Sequence, residues 1–131
     1  MQFRPIQFLG LALYIPYSVM AADCTPSVSN KSFQTSDGFS LLGDFQNNNI
    51  NGLSDHFELD ATHDETVTHG TALVSIENAF FFENTHIAFS DVAFAVADIL
   101  SQCCSGDTCF GGAFQIHGDS GLTIDVKLDS V

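Results

Sequence analysis

Asp55, His56, Asp60, His63, Asp64, Glu65 and His69 lie close together in the chain, and imidazoles with carboxylates are the donor set of a divalent metal. Their spacing argues otherwise. No HxxxH or HExxH pattern sets two of them on one helix face, and a turn rich in Asp, His and Thr is ordinarily solvated, so no metal site is expected. His86 and His117 flank apolar segments and read as surface or satisfied histidines. Gly118-Asp119-Ser120-Gly121 superficially resembles the serine setting of some hydrolases, but it lies between two strand-like runs without the GxSxG strand-to-helix context. It reads as a hairpin turn, with both glycines available for positive φ. Glu77 with Glu83 or Asp125 could form the carboxylate pair of a glycosidase, yet among 16 acids some pair always lies close. No catalytic residue, cofactor-binding residue or metal ligand is therefore expected.

The charge balance removes further classes. The chain has 131 residues, with Lys+Arg 3 and Asp+Glu 16. Arg4, the apolar run at residues 9–17 and the small residues through Ala21 and Ala22 have the n, h and cleavage regions of a secretory signal, expected to be cut after Ala21 or Ala22. The run is broken by Gly10 and Pro16 and is too short for a spanning helix, which needs about 20 residues, so no membrane anchor is expected. Residues 23–131 then form one secreted domain. They keep Lys31 and Lys127 against all 16 acids, and 2 − 16 gives a charge of −14. A surface this acidic repels phosphate, which argues against nucleic acid as a partner and against a ribonuclease, whose charged transition state wants cations.

An oxidising compartment also decides how the cysteines are read. Cys24, Cys103, Cys104 and Cys109 are an even set without a CxxC pair, which points to two disulfides rather than zinc, with three connectivities open. Helical phase chooses among them. Val92, Val96, Ile99 and Cys103 recur at i, i+4, i+7 and i+11, so Cys103 faces the core, while Cys104, turned about 100° away, faces the turn at residues 105–108. Cys104 is expected to pair with Cys109, and Cys103 with Cys24. Asn30-Lys31-Ser32 is an N-glycosylation acceptor in a polar stretch.

The elements that would position these residues follow from periodicity. Residues 23–37 read as an extended lead-in, and residues 39–45 as a short helix ended by the asparagines at 47–49 and 51. Residues 57–59 and 71–77 read as strands with a turn at 61–65 between them. Ser90 is the expected N-cap of a long helix ending near Cys104 through a glycine cap at Ser105-Gly106. Phe110, Gly112, Phe114 and Ile116 share a face, and Leu122, Ile124, Val126 and Leu128 alternate with Thr123, Asp125, Lys127 and Asp129, the cleanest period-two signal in the chain. The expected fold is α+β: a small antiparallel sheet with one long helix on one face, a disulfide-stabilised two-layer sandwich. Phe80, Phe81 and Phe82 cannot all face one way, so at least one is a candidate partner contact. The plainer expectation is that they line the underside of the long helix.

Gly70-Thr71 opening a strand, then Ile87, Asp91-Val92, Val96 and Asp98 on the helix, then a glycine-rich strand and a final alternating strand, preceded by Cys24 and Phe33, resemble the fungal secreted effector family named for necrosis-inducing factors and typified by a small extracellular protein of a tomato leaf-mould pathogen. Where that family has cysteines, this chain has Ala72 and residues near Leu42, as deletion of one bridge would leave it. The family is similar in fold to a small viral-encoded fungal killer toxin and has no established enzymatic site. The resemblance therefore implies an effector or toxin-like protein that binds a host or competitor protein or a wall component. A small secreted hydrolase and a cell-wall-associated structural protein are the alternatives.

Overall fold

Phe33, nearly fully buried, leads the chain into the fold in the computed structural model of the protein, which describes residues 22–25 and 30–131. The signal-like residues 1–21 lie outside the described part. Strand β1 (Phe33–Gln34) runs directly into helix α1 (Thr35–Gln46), then β2 (His56–Leu59), β3 (Asp64–His69), β4 (Ala72–Glu77) and β5 (Thr85–Ala88). Helix α2 (Phe89–Cys103) follows, then β6 (Thr108–Cys109), β7 (Gly112–His117) and β8 (Thr123–Ser130). The main sheet is antiparallel in the order β3-β4-β8-β7, with β2-β5 and β1-β6 as two-stranded accessories. This is an α+β fold, with two helices on one face of the sheet.

The core follows the alternation. Ala72, Val74 and Ile76 of β4, Ile124, Val126 and Leu128 of β8, and Phe114 and Ile116 of β7 all face the helices. Helix α2 answers with Val92, Val96 and Ile99, widened by Phe89, Ala93, Ala95 and Leu100 into the broad stripe of a helix that meets both a sheet and a second helix. Phe89 is the joint. Its ring meets Phe45 of α1 edge-on at 5.3 Å and Phe57 of β2 at 5.9 Å, favourable aromatic geometries.

The disulfides are Cys24–Cys103 and Cys104–Cys109, the pairing expected from helical phase. The ends of the helices differ from expectation. Ser90 lies inside α2, whose N-cap is Ala88 with no side-chain cap bond; the Phe89 N–H instead reaches the Asp55 carbonyl at 2.9 Å. At the other end Cys104 leaves the helix in an extended conformation (φ −120°, ψ 111°), so the Cys104–Cys109 loop replaces the expected glycine cap. Helix α1 begins at Thr35, inside the expected lead-in, because the Thr35 N–H finds the Asp107 carbonyl at 2.8 Å and its hydroxyl the Gly106 carbonyl at 2.6 Å.

Four strands escaped the sequence reading: the two-residue β1 and β6, too short to show a period, and β3 and β5. β3 has one apolar side chain, Val67, in six residues, so as a sheet edge with little to bury it shows no period-two signal. β5 is four residues long and is organised by its partner β2, not by its own pattern.

Candidate functional site

Residues 78–84, which join β4 to β5, hold the largest exposed apolar group described. Phe80 is 43% exposed, Phe81 76% and Phe82 99%. This overturns the plainer expectation that they line the underside of α2. That underside is occupied instead by residues of β7, β8 and α1.

The loop is held from beneath. Asn78 is fully buried, and its amide donates to the carbonyls of Leu59 (3.3 Å) and Glu83 (2.9 Å) while its oxygen accepts the Phe80 N–H (3.1 Å). One side chain thus ties both ends of the loop to β2. Removing it would leave buried groups unpaired, at about 1–3 kcal/mol. The Ala61 N–H donates to the Asn84 side chain at 2.8 Å, and the Thr62 N–H to the Phe80 carbonyl at 2.9 Å. Thr62 makes that bond at φ 63°, a left-handed conformation that β-branched residues rarely adopt.

The rim is acidic. Glu58 meets Asn84, Glu83 lies in the loop, Asp60 in the adjoining turn, and Asp64 stands opposite Glu77 at the base. Of the described lysines, Lys31 bonds the Val131 carbonyl, and Lys127 stands opposite Ser75, diagonal to Glu77.

The other candidates come to different ends. The histidine and aspartate run is divided among β2, a turn and β3. His63 bonds the Ala61 carbonyl locally, His69 meets Asp44 at 3.1 Å, and among the described residues no three His, Cys, Asp or Glu side chains converge as a metal site. Glu77 and Asp125 stand directly opposite on β4 and β8, with Asp64 next in the same row and Gln115 donating to Asp125 at 3.0 Å; Glu83 is in the phenylalanine loop. Asn30 is exposed at φ 56°.

Ser120, Asp119 and His86 do come together, but not as a relay. The Ser120 hydroxyl bonds Thr85 Oγ1 at 2.8 Å, and Asp119 accepts the His86 backbone N–H at 2.8 Å and the Thr85 hydroxyl at 3.2 Å. His86 Nδ1 lies 3.3 Å from the other Asp119 oxygen. The His86 backbone N–H, with the Thr85 hydroxyl and the nearby imidazole, lowers the Asp119 carboxyl below its ordinary value. These bonds fasten the β7–β8 turn onto β5. Of the two turn glycines only Gly121 has positive φ (88°); Gly118 is needed for space, since a side chain there would strike the Thr85 hydroxyl.

Asn78, Thr62 and Asn84, which shape the loop, were missed in the sequence. The available signal was the pair of asparagines bracketing Phe80, Phe81 and Phe82. No model of a known protein family matches this chain, and no curated protein does.

Proposed function

We propose that this chain is a secreted binding protein of the effector or toxin-like kind, acting without catalysis on a protein or wall component at a host or competitor surface through Phe80, Phe81 and Phe82. The observation that carries the reading is a loop with three phenylalanines turned to solvent and their supports buried. Exposed aromatic rings gain nothing for the fold and are the residue type that dominates interface energetics. The signal-like N-terminus and the two disulfides support secretion. Non-catalytic action is supported by the use of Ser120, Asp119 and His86 as turn fastenings. The resemblance to the necrosis-inducing effector family supplies the kind of surface, and the loop supplies the contact.

The test compares secreted wild type with Phe81→Ser/Phe82→Ser in pull-downs against host extract and against fungal wall. The variant should keep its stability within about 0.5 kcal/mol, since both rings are exposed, and lose retention on host extract. Undiminished retention rejects the loop as the contact, and retention by fungal wall alone favours a structural wall protein. Alanine at His63, His69, Glu77, Ser120 or Asp125, taken singly, should change activity only a few-fold. A loss of about a hundredfold at one of them, with the fold intact, is the size of a general acid, base or nucleophile and would overturn the non-catalytic reading.

A further inference from the structure

The main sheet has two edges, and they are finished differently. At β7 the edge is covered at Ala113, where the N–H groups of Asp23 and Ala113 each donate to the other's carbonyl at 2.8 Å and Cys24–Cys103 fastens the covering segment; further along, Gln115 and His117 have no backbone partner beyond β8 among the described residues. At β3 no described segment does the same.

Register identifies the spare groups. The Asn78 N–H donates to the His63 carbonyl at 3.0 Å, so that pair is hydrogen-bonded, and by the two-residue repeat Glu65/Ile76, Val67/Val74 and His69/Ala72 are too. The N–H and C=O groups of Asp64, Thr66 and Thr68 therefore point away from β4. Among the described residues none of them has a backbone partner. They border a cleft of about 410 Å³ whose strand wall is residues 65–68 and whose far wall is residues 49–53, with Asp44 alongside. The strand has no proline, lysine or bulge; what blunts it is acidic charge alone, from Asp64 and Glu65, which a basic partner would neutralise.

We propose that β3 is a docking edge for an extended segment of a second protein, with apolar and basic side chains in turn on the one face it presents to the cleft, which joins the sheet as a further antiparallel strand. The backbone pattern requires an extended chain, because donors and acceptors at two-residue spacing are matched by a strand and not by a helix. The side chains specify its chemistry. Val67, Ile50 and Leu53 are half-buried hydrophobes that an incoming apolar residue would cover. Asp44, which meets His69 at 3.1 Å, and Glu65 line the cleft and Asp64 adjoins it, while the cleft has no Lys or Arg. The complement is lysine or arginine. A second copy of this chain fits poorly, since its own β3 would bring Asp64 and Glu65 to an already acidic surface. This edge is independent of the phenylalanine loop.

The probe is a short synthetic peptide of repeating Val-Thr-Lys-Thr, which sets valine and lysine in turn on one face, with a glutamate-for-lysine counterpart and the same peptide N-methylated along one edge. Amide hydrogen exchange on the full chain should show protection at Asp64, Thr66 and Thr68 with the first peptide and none with the other two. Thr66→Pro removes an outward N–H and leaves the β3–β4 bonds in place, and should weaken binding about tenfold, the net worth of one hydrogen bond. If that variant fails to fold, the N-methylated peptide on the unaltered protein decides. The proposal is overturned by absence of binding, by equal binding of the acidic or N-methylated peptide, or by protection confined to residues 80–82. Protection of the same three amides by self-association without peptide would also overturn it, assigning the edge to a second copy.

Discussion

Asp37 carries an inter-element connection on one carboxylate. Its Oδ2 accepts the Thr71 N–H at 2.8 Å and the Thr71 hydroxyl at 2.7 Å, and that hydroxyl oxygen accepts the Gln34 N–H at 2.7 Å, so the first turn of α1 is fastened to the β3–β4 turn. The Thr71 backbone N–H, then its hydroxyl, hold the Asp37 carboxyl below its ordinary value of 3.8. A carboxylate depressed in the folded state contributes stability that is complete above the unfolded value and lost as pH falls through the folded one. Asp37→Asn should therefore be less stable than wild type at about pH 7, and the gap should narrow as pH falls below 3.8; urea denaturation across that range measures it. An unchanged gap at acid pH would show that the bonds act through geometry alone. In the sequence Asp37 ends a polar lead-in, and nothing local announces Thr71 as its partner. Asn78 was equally hidden, since an asparagine beside aromatics reads as a turn until three backbone groups converge on it.

The helices show where local pattern suffices for an element and where it fails. Pairing of Cys103 with Cys24 and of Cys104 with Cys109 was legible because α2 stays regular to Cys103, so its phase carries to the last turn. Its boundaries were not legible, because the Asp55 carbonyl and the Cys104–Cys109 loop do what a capping side chain and a glycine would otherwise do. The two bridges differ in span, 79 residues against 5. In the chain-entropy model they are worth about 4.5 and about 2 kcal/mol. Cys24→Ala/Cys103→Ala should therefore melt about 10 °C below Cys104→Ala/Cys109→Ala in a thermal scan. The reverse order would mean that the short loop matters more as a cover for the core at Cys109 than as a crosslink.

At the scale of the molecule the dominant quantity is charge. Asp64, Glu77 and Asp125 stand opposite one another across β3, β4 and β8, a row of like charges that destabilises a sheet, and the chain as a whole carries −13. Raising ionic strength from about 0.01 M to about 0.15 M shortens the screening length from about 30 Å to about 8 Å and should raise the melting temperature. A melting temperature that falls with salt would show attractive pairs outweighing this repulsion. The sequence by itself determined the α+β class, the phase of α2, the dry faces of β4 and β8 and the disulfide pairing, since each rests on a periodicity that one buried face imposes on its own residues. Only the tertiary structure decided that Phe80, Phe81 and Phe82 stand outside the core, that β3 is a strand, and that Asp119 and Ser120 fasten their turn to Thr85 and His86 of β5. Those outcomes depend on hydrogen-bond partners that neighbouring elements supply from far away in the chain, and short-range pattern carries no record of them.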